Sequence, residues 1–482
     1  MNFEALKHWA RIQRRQSDGG QASKSGRFRA SVLVALLWIV ALLSVVVVSV
    51  LHTTWIDLVI VKSYGDRIQA HYLALAGIEK AEALLYQDAQ DRSHSALNHH
   101  DKLYNDSQDF QNGSLGRGEF TIFRRGREDE GGGVLYGVSD EESRLDVNVA
   151  SSNELMQLPN MMSDVMASIV DWRSPTNVVL PGGALAAYYE SLQPPYEPRN
   201  SAYETVRELL MVKGVTPELL MGDDRHQDGF LPTTAIIGND FPDTGNHACD
   251  VDAGWAGIVT VDSFDNDVSA AGQRRVNIQT ADQNALANVP GITPDIAQAI
   301  ITYRGQHQFQ SIADLLDVTA PQPPDQGGAQ GNPNQSGGNS AQTDQSGQSS
   351  GPTVISDDLL MSIADQLTAS RNRNESGLIN INTASLDVLA CLPGVDQQLA
   401  QQIISYRKSS GFFSNVAWLL KVPGVTHDIF KQVAPLVTAR SETYRILCEG
   451  EVNSTGVRQR IQMIVHIGLK DVTLLSYRED DL

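Results

Sequence analysis

The chain has 482 residues, a formal net charge of -20, 41% hydrophobic and 20% charged residues. That length supports two to four domains with a sizeable core, and the acidic balance disfavours non-specific attraction to polyanions. Three cysteines, Cys249, Cys391 and Cys448, are too few for a disulfide framework and too scattered for a zinc site. They allow one pair and a leftover thiol. Cys391 sits inside an apolar helical run and is expected free and buried.

The first segment with a definite reading is Ser31–Leu51, SVLVALLWIVALLSVVVVSVL, which carries no charge. It is long enough to cross a bilayer as a helix and is apolar all round, unlike a core helix with one dry face. Lys7, Arg11, Arg14, Arg15, Lys24, Arg27 and Arg29 precede it, against only Glu4 and Asp18. This bias places residues 1–30 in the cytoplasm and sends the remaining chain outward. Beyond Leu51, Ile56, Val59, Ile60, Ile68, Tyr72, Leu75 and Ile78 recur at helical spacing. One helix from about 32 to about 87 is predicted, with 31–51 in lipid and 52–90 as a stalk.

Strand chemistry follows. GEFTIFRRG and GGGVLYGVSDEESRLDVNVA alternate apolar and polar residues, and TYRILCEGEV and VRQRIQMIVHIGL flank NSTG near the C-terminus. Isolated hairpins are marginal. Residues 115–148 and 441–475 are therefore expected to share one antiparallel sheet packed on the stalk, split by a large insert.

The insert repeats itself. DVNVASSNELMQLPNMMSDVMASIVDWR, NIQTADQNALANVPGITPDIAQAIITYR and NINTASLDVLACLPGVDQQLAQQIISYR align without gaps. Ala150, Ala281 and Ala384 share one position, Leu155, Leu286 and Leu389 another, and Pro159, Pro290 and Pro393 the turn. Each block ends on an aromatic–arginine pair: Trp172-Arg173, Tyr303-Arg304 and Tyr406-Arg407. A second half recurs from Tyr203, Phe309 and Phe413. The spans are 149–222, 274–320 and 354–440, with an acidic, irregular region at 223–273. Residues 321–353, nearly devoid of apolar side chains, read as a disordered linker between the second and third copies. The fold class is α+β: a transmembrane and stalk helix, a split antiparallel sheet (pilin-like, by the family resemblance given below), and an α-helical insert of three helix-hairpin-helix (SAM-like) repeats.

Such hairpins can grip phosphate through free amides and a second glycine. Here the turns read PNMM, PGIT and PGVD, and Asp396 sits where an anion would bind. The three register arginines are expected to tie helix ends to carbonyls or acids, and no nucleic-acid partner is favoured. Nucleophile motifs, a P-loop and a dinucleotide fingerprint are missing, so no enzyme is expected.

Taken in order, the apolar segment, QAHYLALAGIEKAEALL, NVASSNELMQLPN, the DWR tripeptide with GGALAAYYESLQPPYEPRNSAYETVRELLMVKGVT, and NINTASLDVLACLPGV resemble the protein K family of type II secretion systems, the large minor pseudopilins. The hairpin half is also similar to ComEA-type competence proteins, which leaves a membrane-anchored DNA-uptake receptor as the alternative. The resemblance to protein K implies a non-catalytic subunit of the inner membrane, crossing it once, with most of the chain periplasmic. It implies a place at the tip of a short pseudopilus, with other minor pseudopilins, the major pseudopilin and prepilin peptidase as partners. Processing after Gly26 or Ala30 would make Ser31 or Ala35 the fifth mature residue, so the glutamate usual there in pilin-type subunits is missing. Relatives bind calcium in the insert. Asp240, Asp243, Asp250, Asp252, Asp262, Asp265 and Asp267 are the calcium candidates, against the plainer reading of a solvated acidic loop. Leu185 stands where the family's run after Asp171 has an acid.

Overall fold

A computed structural model describes residues 27–94, 100–176, 178–224, 253–320, 352–372, 375–468 and 470–479. Gly26, Asp240, Asp243, Cys249, Asp250, Asp252 and the linker 321–351 lie outside the described residues. The chain divides into two compact units, Met1–Asp66 and Arg67–Leu482.

Helix α1 runs from Arg27 to His94, 68 residues, or about 100 Å at the rise of an α-helix. It exceeds the predicted span at both ends, where the flanking residues include no proline or glycine to stop it. In the first unit, the apolar window has a hydropathy of 3.0 and none of it is buried. Hydroxyls within this stretch satisfy themselves on their own helix. Ser44, Thr53 and Thr54 donate to the carbonyls of Val40, Ser49 and Val50 at 2.8, 3.0 and 2.9 Å, the arrangement an apolar surrounding demands.

In the second unit, α1 buries Ala70, Leu73, Ala74, Ile78, Ala81 and Leu85, spaced three and four apart on one face. That face packs against Phe120, Ile122, Ile446, Cys448, Ile461 and Val465 of the sheet. The sheet has six strands: β1 (Gly113–Leu115), β2 (Gly118–Ile122), β3 (Ser139–Asp140), β4 (Thr443–Val452), β5 (Val457–Ile467) and β6 (Val472–Arg478). Its order is β1-β2-β4-β5-β6, and β3 pairs the far end of β4. Strand β4 is central. It is antiparallel to β2, with Cys448 opposite Ile122 and Val452 opposite Gly118, and antiparallel to β5 from Thr443–His466 to Val452–Val457. Residues before and after the insert thus share one sheet.

The stretch expected as one long strand over 131–150 is broken instead into Val134–Leu135, β3 and Leu145–Asp146. Each piece pairs a different partner, namely Arg124–Arg125, β4 and Val259–Thr260, because here the chain steps off the sheet.

The insert contains three hairpins: α2 (Ser152–Leu155) with α3 (Ser163–Arg173), α4 (Gln283–Ala287) with α5 (Pro294–Arg304), and α6 (Leu386–Ala390) with α7 (Gln397–Ser410). A short 3-10 helix follows each, at Val206–Met211, Ile312–Asp317 and Val416–Lys421, and then a helix at Pro217–Met221, Asp357–Ile363 and His427–Val433. Each segment closes with a two-residue parallel pair joining its entry to its exit: Leu145–Asp146 with Val259–Thr260, Val276–Asn277 with Leu367–Thr368, and Ile379–Asn380 with Val437–Thr438. This corrects two boundaries: the first segment closes at Val259–Thr260, beyond the expected end at 222. Residues 354–368 complete the second segment and do not open the third, so the linker interrupts the second segment. Its ends meet in an antiparallel bridge between Thr319 and Thr353. One apolar core runs through all three segments. Cys391 and Cys448 are free and buried, as expected for Cys391.

Glycine sets the distance between α1 and β4. A Cβ on Gly450 would lie 2.6 Å from the Ala74 amide nitrogen and 2.9 Å from the Leu73 Cβ, and backbone cannot yield cheaply. Gly450→Ala is expected to destabilise the second unit by about 1–3 kcal/mol, read from urea unfolding of the detergent-solubilised chain. Gly65→Ala, in α1 with nothing within 4 Å, should be neutral or stabilising. Equal effects of the two changes would contradict this packing.

Candidate functional site: the junction of sheet and insert

Where the chain leaves β3, three consecutive acids, Asp140, Glu141 and Glu142, are buried. Each ties the exit to a different remote segment. Asp140 accepts from Asn380 Nδ2 at 2.7 Å and from the Thr383 hydroxyl, which fastens the start of the third segment. Glu141 accepts Arg445 Nε at 2.8 Å and Nη2 at 2.6 Å, a two-pronged pair, and the Thr260 hydroxyl at 2.7 Å. Glu142 Oε1 accepts the Glu442 amide at 3.1 Å, across 300 residues of sequence, and its carbonyl accepts the Asn380 amide at 2.8 Å. The point where the insert begins is therefore bonded to the point where it ends.

Burial raises each of these carboxyls, and their partners decide the outcome. For Glu141, the Arg445 and Arg144 guanidiniums outweigh burial and hold it below the ordinary value. For Asp140, burial prevails over the hydrogen bonds of Ser441, Thr383 and Asn380, and the group is raised. Burial, followed by the nearby Asp265 and Asp140 carboxylates, drives Glu142 well above the ordinary range, and its Oε2 has no partner among the described residues. A protonated carboxyl is the form this surrounding selects. Sequence reading missed the trio. Three acids in a row within an alternating strand pattern were the available signal.

The register arginines lie inside the hairpins. Arg173 donates to the Val147 and Ala150 carbonyls, Arg304 to Ile278 and Ala281 at 3.1 and 2.7 Å, and Arg407 to Ile381 at 2.9 Å. Arg407 also pairs with Asp129 at 2.9 Å, which joins the third hairpin to the loop after Arg124–Arg125. The second and third hairpin turns cap themselves: Asp396 Oδ1 accepts the Leu399 amide at 2.7 Å and Thr293 Oγ1 the Ile296 amide at 3.3 Å, whereas Met162 before α3 offers no side-chain cap. These amides already have acceptors, and the arginines point at carbonyls.

In the first segment the aromatic–arginine pair builds a core. Trp172 packs edge-on to Tyr189 at 5.0 Å and donates to Glu208 at 2.9 Å. Asp171 accepts the Leu180 amide at 3.1 Å, so it holds its own loop.

Of the calcium candidates, Asp262, Asp265 and Asp267 fall within the described residues. Asp265 accepts the Asp267 amide at 2.9 Å and the Thr438 hydroxyl at 3.4 Å, and Asp267 pairs with Arg275 at 3.2 Å. Among the described residues no cluster of three His, Cys, Asp or Glu is placed to hold a metal. Ala30 lies within α1.

A family model described as type II secretion system protein K matches residues 139–221, which include the acid trio and the Trp172 core. That stretch of the chain is similar to protein K of type II secretion systems. A helix-hairpin-helix model matches residues 272–320 and 374–438, the second and third hairpins with their surroundings. Among solved structures, the GspK–GspI–GspJ complex of the enterotoxigenic Escherichia coli type 2 secretion system is similar at a TM-score of 0.41 and 11% identity, over 87% of this chain and 98% of that one. Curated relatives match parts of the chain. Transcriptional accessory protein Tex of Neisseria gonorrhoeae is 43% identical over 56 residues, 12% of this chain and 7% of its own length. ComE operon protein 1 of Bacillus subtilis is 33% identical over 66 residues, 14% of this chain and 32% of its own. Endonuclease/exonuclease/phosphatase family domain-containing protein 1 of Rattus norvegicus is 30% identical over 175 residues, 35% and 28% respectively. The chain thus spans well under half the length of each of these curated relatives.

The Glu142 carboxyl yields a signed prediction. Its folded pKa lies above its ordinary 4.5, so its contribution to stability is complete below that value and is lost as pH rises. Glu142→Gln keeps the shape and removes the titration. Relative to the parent, the variant should gain stability between pH 4 and pH 8 in urea unfolding; a difference that stays constant with pH would contradict the assignment.

Proposed function

We propose that this chain is the minor pseudopilin that terminates a type II secretion pseudopilus and acts as a structural part in protein secretion across the outer membrane. The observation that carries the reading is the sheet: the strand after the insert lies between strands that precede and follow it, on a helix whose far part is apolar enough to span a bilayer. The apolar end would anchor in the inner membrane, basic leader inward, with the sheet and insert in the periplasm. No carboxylate falls between Ser31 and Leu51. An unpaired charge in lipid is unfavourable, so a subunit with no neighbour above it does better without one. The three hairpins form one repeated, SAM-like scaffold whose bulk would block addition of a further subunit. Other minor pseudopilins and the major pseudopilin are the expected partners, and prepilin peptidase would act after Gly26 or Ala30.

The helix-hairpin-helix matches favour a second reading, a membrane-anchored DNA receptor. Against it stand the capped turns of the second and third hairpins, the engaged arginines and the net charge of -20. N-terminal sequencing of the membrane-extracted protein should give Arg27 or Ser31 as the first residue; an intact Met1 contradicts assembly by this route. In fluorescence anisotropy at 50 mM salt, duplex DNA should not bind below about 10 μM, whereas salt-dependent binding in that range would favour the receptor.

A further inference from the structure

Strand β5 carries His466 between Val465 and Ile467, which pack in the cluster under α1. His466 therefore lies on the opposite face of the sheet, and 8% of its side chain is exposed. Within the sheet it stands between Thr443 of β4 and Thr473 of β6. The chain leaving the first helical segment crosses beside it, and Phe264 packs edge-on to the imidazole at 4.7 Å. Both ring nitrogens have neighbours. Nδ1 is 3.4 Å from the Thr443 hydroxyl, and Nε2 is 2.8 Å from Asn266 Nδ2. Glu442 joins the group, because its Oε2 accepts the Asn266 backbone amide at 3.0 Å and Asn266 Nδ2 at 2.6 Å.

One set of bond directions satisfies all of these contacts. The Thr443 hydroxyl donates its one proton to the Phe264 carbonyl at 3.2 Å, so it accepts from the ring and Nδ1 carries hydrogen. A side-chain amide nitrogen only donates, so Nε2 is the accepting nitrogen. Turning the Asn266 amide over would set its oxygen against the Glu442 carboxylate. His466 is thus fixed as a neutral imidazole, 4.0 Å from Glu442 Oε2 and bridged to it by Asn266. The charged groups around the ring are Glu442, Asp265 and Asp471. Burial outweighs the pull of Asp265 and Asp471 and holds the ring below its ordinary 6.5.

A proton on Nε2 reverses the arrangement. An imidazolium donates from both nitrogens, so Nε2–H would face the hydrogens of Asn266, with the Glu442 carboxylate as the acceptor within reach. The carboxylate then exchanges Asn266 for His466. We infer that His466, Asn266 and Glu442 form a pH-sensitive latch between sheet and insert, closed while the imidazole is neutral and opened by its protonation. Opening detaches residues 264–266 from the sheet. The Asp265 backbone stays bridged to Glu375 at 2.8 and 2.9 Å, so the loop remains with the insert. Because the folded value lies below the ordinary one, the latch contributes fully above about 6.5 and is lost as pH falls. The inference does not depend on where the subunit sits in a pseudopilus.

Hydrogen exchange read by mass spectrometry tests it on the full chain in detergent micelles, with intrinsic rates corrected for pH. Peptides covering 264–266 should lose at least tenfold in protection between pH 7.5 and pH 4.5, while those covering Glu375 and 457–463 keep theirs. His466→Gln preserves an acceptor for Asn266 and removes the titration, so protection should be equal at the two pH values. Glu442→Gln also preserves an acceptor but leaves His466 to titrate, and the loss should persist by pH 4.5. If His466→Gln does not melt cooperatively, Glu442→Gln still separates a switch on His466 from one on Glu442. Constant protection in the parent, a loss that survives His466→Gln, or its disappearance in Glu442→Gln overturns the inference.

Discussion

The fold depends on one closure. Strand β4 can hold the centre of the sheet only if the insert returns the chain to the place it left. Sheet pairing at long sequence separation carries a large loop-closure entropy, and the acid trio is where that entropy is opposed. Glu142 meets the Glu442 backbone, Glu141 clamps Arg445 and Asp140 fastens Asn380. Because these groups are buried, losing one partner leaves the other uncompensated, so the junction favours one geometry over near alternatives. The insert can then be large without fraying the sheet that carries it.

The same economy recurs within the insert. Each helical segment begins and ends in a parallel pair of two residues, and each register arginine reaches back to the carbonyls at its own entry. Closure is therefore local and repeated. It also explains why a motif suited to nucleic acid can sit on a strongly acidic chain. The donors a phosphate would need are engaged by Asp396, Thr293 and backbone carbonyls. Helix-hairpin-helix geometry here serves packing, and the stretch similar to protein K begins at the junction.

Much of this was legible in the sequence, because strong periodicity survives any tertiary setting. The apolar run and its helical continuation pointed to α1, and the gapless register of Ala150, Ala281 and Ala384 pointed to the hairpins. The paired strand patterns on either side of the insert pointed to a split sheet. What escaped has a common physical cause, shortness. Two-residue parallel pairs have no period to read, and the helix Asp357–Ile363 is too brief to reveal that it completes the second segment across the linker. The acid trio escaped because a charged residue in a strand reads as solvent-facing, whereas Asp140, Glu141 and Glu142 face bonding partners from remote segments.

The closure of β2 onto β4 is open to a direct measurement. Glu119 and Glu451 are paired across these strands, so cysteines placed at both positions of the full chain should oxidise to a disulfide, seen as a linked tryptic pair in mass spectrometry. The account predicts near-complete linkage without loss of the folded state. Recovery of both cysteines singly alkylated, in protein that remains folded, would mean that the C-terminal strands do not complete this sheet.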